Sequence, residues 1–126
     1  MSVDSWQPVN IPTQITDEHV SQLLALSQGQ PKECDLTSEL DWIQPLALLD
    51  GKIWHQLALT FSPEQLKALI ALLTQAEHQG NWKLGDKSPV IPLFKAMRKQ
   101  QGVDRELVQW VKAHTDNKFL PFGPLL

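Results

Sequence analysis

The stretch SPEQLKALIALLTQAEHQG, residues 62–80, decides the fold. Ser62 is a typical helix N-cap, Pro63 suits the first helical position, and Gln65 completes a capping box. The apolar residues that follow cover about half of the helix circumference, which is too broad for a helix with one narrow buried stripe. We therefore predict a helix over 63–79, closed by Gly80, at the centre of the core.

Two helices are predicted before this central one. Thr16 is an N-cap followed by two acidic residues, which the positive end of a helix favours, so a helix is expected over about 17–27. Thr37 or Ser38 caps a second helix, which Pro45 interrupts because proline lacks the backbone N–H that a helix interior uses.

Two further helices are predicted after it. Ser88-Pro89 repeats the start signal at residue 62, so a helix is expected to run to about Gln101, with Gly102 after its end. A last helix runs from about Asp104 to Ala113. Residues 80–88 of the preceding connection approach the phosphate-loop pattern, but they follow a helix and carry an extra acidic residue, so we interpret them as an interhelical turn.

The stretch from Pro45 to Phe61 has two interpretations. Pro45 suits the first position of a new helix. Alternatively, Asp50-Gly51 is a hairpin turn between short strands at 46–49 and 52–59. The flanking residues do not alternate between apolar and polar, so the helix is favoured.

Together these signals predict an all-α fold: a single-domain bundle of about five helices with extended, proline-containing N- and C-terminal segments. The length of 126 residues suits one domain. The content of 42% hydrophobic and 20% charged residues is ordinary for a protein with a packed core.

The sequence favours a cytoplasmic location. No apolar run approaches the roughly 20 residues that cross a bilayer, so no membrane association is expected. The N-terminal residues lack the features of a signal peptide. The single cysteine, Cys34, has no partner within the chain, whereas small secreted domains usually carry several.

The formal net charge of −3 hides an uneven distribution. Residues 1–51 contain eight acids and one lysine, whereas residues 52–126 contain ten bases and six acids. Such asymmetry indicates either a charged partner or two halves that attract each other. We favour attraction between the halves.

No catalytic, metal or cofactor site is predicted, and we do not expect an enzyme. The four histidines and Cys34 are scattered without metal-ligand spacing. Glu33 and Asp35 flank Cys34 and disfavour its reactive thiolate. No serine lies in a G-x-S-x-G motif. The acids at 35, 39 and 41 are interpreted as a solvated face.

The basic C-terminal third suggests nucleic-acid binding as an alternative function. Lysine and arginine contacts to phosphate supply most non-specific affinity for nucleic acids. The sequence pI of about 5.7 argues against it, because binding domains of this kind typically exceed about 9. The candidate residues are Lys95, Arg98, Lys99, Arg105 and Lys112.

The apolar tail, residues 119–126, gives the main functional hypothesis. Its favoured interpretation is a strap in a groove of its own bundle, and its functional interpretation is a segment that docks on a partner. We expect a non-enzymatic, regulatory or accessory module that binds another protein, with oligomeric state undetermined. A ligand or enzymatic pocket built from distant residues is a third hypothesis. The candidate partner-binding residues are Trp110, Phe119, Leu120, Phe122 and Leu125.

Overall fold

Six α-helices and two short 3₁₀ turns form the regular structure, and the described residues contain no strand. The computed structural model describes residues 15–28, 33 and 35–123. The all-α prediction is therefore confirmed for these residues. The helices are α1 (Asp17–Leu26), α2 (Leu40–Ala47), α3 (Gly51–Ala58), α4 (Pro63–Gly80), α5 (Val90–Gln101) and α6 (Arg105–Ala113), and the 3₁₀ turns are Thr37–Glu39 and Gly85–Lys87.

Side-chain caps fix the starts of four of these helices, α1, α3, α4 and α6. The Ser62 hydroxyl accepts a hydrogen bond from the backbone N–H of Gln65 at 3.2 Å, and the Gln65 side chain accepts from the backbone N–H of Ser62 at 2.9 Å. Thr16 caps α1 in the same way, and Asp104 caps α6 by accepting from the backbone N–H of Leu107 at 3.0 Å. Each cap satisfies a backbone donor that a helix start otherwise leaves unpaired.

Helix α4 lies at the centre of the core, as its sequence predicts. Leu66 and every residue from 68 to 77 are buried. The helix packs against α1, α2, α5 and α6, which together surround it. Burial on several sides follows from the broad apolar surface of this helix, because such a surface needs more than one neighbour to leave water.

The end of α4 differs from the prediction. Gly80 was expected to close the helix, but the helix includes Gly80, and Asn81 takes the left-handed conformation with φ of 53°. The Trp82 ring folds back over Gly80, so that a Cβ atom at residue 80 would clash with Trp82 Nε1. Gly80 therefore makes room for a ring, whereas Asn81 supplies the turn.

The region around Pro45 also differs from the prediction. Helix α2 continues past Pro45 to Ala47, so this proline neither interrupts the helix nor begins a new one. The next helix begins at Gly51, where the Asp50 side chain accepts a hydrogen bond from the backbone N–H of Lys52 at 2.8 Å. The hairpin alternative at 46–59 is therefore wrong. The favoured prediction of a helix in this stretch is confirmed, but the helix begins at Asp50-Gly51, and the described residues contain six helices where about five were predicted.

The described part of the tail packs onto the bundle. Leu120 is 2% exposed, and the Phe122 ring meets the edge of Phe94 with ring centroids 5.1 Å apart. Gly123 is buried beside Ile91. This packing is what the strap interpretation expects. Leu125, Cys34 and the N-terminal segment before residue 15 lie outside the described residues.

None of the helices in the described part combines the length and the apolar character that a bilayer span requires.

Candidate functional site

The outer face of α5 carries three cations. Lys95, Arg98 and Lys99 are exposed, and their spacing of three and four residues places them on one side of the helix. The opposite side holds Leu93 and Phe94, which are both fully buried. The core therefore fixes the orientation of α5, and this orientation turns the three cations toward solvent.

Phe122 joins this face to α6. The guanidinium carbon of Arg98 lies 5.9 Å from the centroid of the Phe122 ring, and the ammonium nitrogen of Lys112 lies 5.7 Å from it. A cation over an aromatic face is attracted by the ring quadrupole, with about 0.5–1 kcal/mol gained at exposed positions. The Phe122 ring thus contacts one cation from each of two helices.

Helix α3 extends the same basic surface. Lys52, His55 and Lys95 line a cavity of about 490 Å³ between α3 and α5. Asp86, from the connection before α5, also lines this cavity. We use the name basic face for Lys52, Lys95, Arg98, Lys99 and Lys112 together with Phe122.

The charge of the basic face is not balanced by close ion pairs. Within residues 15–28, 33 and 35–123, none of its five cations lies within 4.0 Å of a carboxylate oxygen. The ion pairs found there join Lys67 to Asp104, His78 to Asp116 and His114 to Glu33.

In the part that the structure describes, one close contact between ionisable side chains links the two oppositely charged halves of the chain. Nε2 of His114 lies 2.9 Å from Oε1 of Glu33, and Nδ1 lies 2.6 Å from the carbonyl oxygen of Trp110. The prediction that the halves attract each other therefore has a single direct contact in its favour. It does not involve the basic face.

The other predicted nucleic-acid residue lies near this surface. Arg105 is exposed in the first turn of α6, two helical turns before Lys112 and therefore on the same side of that helix. The structure thus arranges the five predicted cations along the exposed sides of two helices.

The predicted partner-binding residues do not form one surface. Phe122 belongs to the basic face, but Leu120 is in the core and is not available to a partner. Trp110 is half-buried and stacks on His114, with ring centroids 4.1 Å apart. Phe119 is 38% exposed and lies beside Gly85, on a different part of the surface. Sequence reasoning grouped these residues by apolar character, which does not report which side of the strap each one faces.

Lys52 was missed at the sequence level, and His55 was considered only as part of the hypothetical pocket built from distant residues, together with His78 and His114. Both lie in the segment whose helix and hairpin interpretations competed, so their position relative to α5 was not fixed. The signal that finds them is the Asp50 cap, because a helix beginning at Gly51 turns Lys52 and His55 toward one side.

The side chains of the basic face have the chemistry that anion binding requires. Lysine and arginine side chains carry hydrogen-bond donors and no acceptor atoms, and the planar guanidinium group of arginine matches two oxygens of a carboxylate or a phosphate. No group of three histidine, cysteine or acidic side chains in the described part is arranged to hold a metal ion. Comparisons with protein-family models, curated proteins and solved structures gave no match for this chain.

Proposed function

We propose that this protein is a non-enzymatic accessory or regulatory module that binds an acidic segment of another protein on its basic face. The observation that carries the proposal is the position of Phe122, between Arg98 of α5 and Lys112 of α6. A ring that holds two cations in place is expected to offer a prepared site for a carboxylate.

Preorganisation is the physical basis of this proposal. Ordering a long side chain on binding costs about 0.5–1.5 kcal/mol. Arg98 and Lys112 meet part of this cost before a partner arrives, because each already lies over the Phe122 ring. The ring itself is held by its edge contact with the fully buried Phe94. The core therefore supports the site through a short chain of contacts.

An acidic protein segment fits the basic face better than a nucleic acid does. Proteins that bind single strands stack bases on exposed aromatic faces. Phe122 is half-buried, and the cations of Arg98 and Lys112 lie over its ring, so a base would have to displace them.

A binding measurement with a defined probe tests the proposal. The probe is a short fluorescein-labelled peptide rich in glutamate, followed by fluorescence anisotropy, and its control replaces each glutamate with glutamine. We expect the glutamate peptide to bind and the glutamine peptide not to. Arg98→Gln is expected to weaken binding about tenfold, which corresponds to roughly 1.4 kcal/mol.

Two variants separate the site from general charge. Lys87→Met removes the same formal charge at an exposed position outside the basic face and is expected to change affinity by less than about twofold, as for a peripheral charge. Phe122→Leu keeps an apolar side chain but removes the aromatic ring, so it is expected to weaken binding through loss of the cation contacts. Equal effects of Arg98→Gln and Lys87→Met would contradict the proposal.

The nucleic-acid alternative is an outcome of the same experiment. A single-stranded oligonucleotide that binds more tightly than the glutamate peptide, with affinity falling steeply as salt is added, would replace the proposed partner class. Point substitutions are preferable to removing the chain from Asp116 onward. That deletion also removes Leu120 from the core, so lost binding would not identify a contact surface.

A further inference from the structure

Helix α4 carries a buried carboxylate that is only partly satisfied. Glu77 is an acidic residue, yet it is only 4% exposed and lies in the most buried helix of the fold. Its Oε2 atom accepts a hydrogen bond from the side-chain amide of Asn117 at 2.8 Å, whereas Oε1 has no hydrogen-bond partner among the described residues. A buried charged oxygen without a donor costs more than an ordinary unpaired group, so this position favours a cationic donor.

Asn117 fixes the position of the carboxylate. Its side-chain amide donates to Glu77 and also to the carbonyl oxygen of Gly85 at 2.9 Å, so both amide hydrogens are used. The Asn117 side-chain oxygen accepts from the backbone N–H of Phe119 at 2.9 Å. One side chain thereby connects α4, the connection before α5 and the tail. Asn117 has no remaining side-chain donor for Oε1.

Glu77 and Asn117 line a cavity of about 510 Å³ between these three segments. This volume lies within the range of small-molecule sites, roughly 300–1,000 Å³. Lys83 and Lys118 also line the cavity, and neither lies within 4.0 Å of a carboxylate in the part of the chain described. Phe119, 38% exposed, supplies an apolar wall.

We propose that this cavity binds a small zwitterionic amino acid, with its ammonium group at Glu77 and its carboxylate at Lys83 and Lys118. The ammonium group brings three donors and a positive charge to an oxygen that lacks both. The two lysines supply the matching cations for the carboxylate, and Phe119 contacts an apolar side chain. The site is separate from the basic face, and neither proposal depends on the other.

The ligand reaches Glu77 through a small rearrangement. Because Oε1 is buried, a lining side chain has to move before an ammonium group makes contact. Rotamer changes of this kind are common when a ligand or partner binds. The hydrogen bonds of Asn117 report such a change directly, since this side chain contacts the carboxylate that the ammonium approaches.

Three related probes test the assignment by nuclear magnetic resonance. L-leucine carries both charges, isoamylamine lacks the carboxylate, and isocaproate lacks the ammonium group. With leucine, we expect concentration-dependent shifts of the Asn117 side-chain amide and the Phe119 backbone N–H. Isoamylamine is expected to give the same shifts with weaker affinity, and isocaproate none. Binding of isocaproate as tight as that of leucine would overturn the proposal.

Variants assign each charge. Glu77→Gln keeps the shape of the side chain and is expected to weaken leucine and isoamylamine about tenfold or more. Lys83→Met is expected to weaken leucine but not isoamylamine. If Glu77→Gln does not fold, Lys83→Met and the three probes still decide the matter. The absence of shifts with any amine, as when water alone satisfies the carboxylate, would refute the proposal, and so would unchanged leucine affinity in folded Glu77→Gln.

Discussion

The two neighbouring apolar residues of the tail, Phe119 and Leu120, give a sharp test of its packing. Leu120 is 2% exposed, whereas Phe119 is 38% exposed. Replacement of a buried leucine by alanine costs about 2–5 kcal/mol, which combines lost transfer free energy with a residual cavity. We therefore predict that Leu120→Ala lowers the free energy of unfolding by about 3 kcal/mol.

Phe119→Ala is the matched control, because it removes a larger side chain one residue earlier. A fully buried aromatic side chain contributes about 1.5–3 kcal/mol through burial, and Phe119 is only partly covered. We expect a loss of about 1 kcal/mol. The larger side chain is thus predicted to matter less, which is the reverse of the order that size or hydrophobicity alone would give.

Urea unfolding followed by circular dichroism measures both losses. The urea concentration at the unfolding midpoint is expected to fall much further for Leu120→Ala than for Phe119→Ala. The slope of the unfolding free energy against urea concentration is expected to stay the same for both. Equal losses, or a greater loss for Phe119→Ala, would refute the described packing of the tail. A changed urea dependence would show that the substitution altered more than stability.

Three further predictions concern local structure. Gly80→Ala is expected to destabilise the protein by about 1–3 kcal/mol because the added Cβ meets the Trp82 ring, even though alanine favours helices. If urea unfolding shows that the variant is more stable, the ring lies elsewhere. Asp104→Ala is expected to lower the free energy of unfolding by about 1 kcal/mol, and Asp104→Asn by less, because asparagine retains the cap. Equal losses for the two variants in thermal unfolding would argue against capping. Hydrogen bonds from the Thr37 hydroxyl and, to a lesser extent, from the Thr37 backbone N–H lower the pKa of Asp35. The stability that Asp35 contributes is therefore present above the ordinary pKa of aspartate and is lost as pH falls through the lowered pKa. Thr37→Val is expected to raise the pKa of Asp35 in a carbon-detected titration, and an unchanged pKa would contradict this cause.

The starts of α1, α4 and α6 were predictable because they depend on short-range chemistry, whereas α2 begins at Leu40 without the side-chain cap predicted at Thr37 or Ser38. Thr16, Ser62 and Asp104 each satisfy a nearby backbone N–H, so their role is set within four residues of sequence. The central position of α4 was predictable for a related reason. Its apolar surface is wide enough to require several neighbours, whatever those neighbours are.

Features that depend on tertiary contacts were not predictable in the same way. Gly80 resembles a helix terminator, but its lack of a side chain makes room for the Trp82 ring. Pro45 resembles a helix breaker, yet α2 continues through it for two more residues. At Gly80 the local preference was outweighed by a neighbouring side chain, whereas no contact in the structure explains why the helix continues through Pro45.

The candidate sites were predictable only in part. The cations of α5 follow from helical spacing, but their meeting with Lys112 depends on the path of the tail. Glu77 carried a usable signal, because it lies four residues after Leu73 and seven after Ile70, on the face expected to be buried. Its partner Asn117 is forty residues away, and nothing in the local sequence connects the two.

The most direct test of the proposed function is a map of where the glutamate-rich peptide binds. Backbone and side-chain shifts of the isotope-labelled protein, recorded during titration with this peptide, identify the contact surface residue by residue. We predict that the largest changes occur at Arg98, Lys112 and Phe122, and that the glutamine peptide produces none. Changes concentrated away from these three residues, or equal changes with both peptides, would contradict the proposal that the basic face is the binding surface.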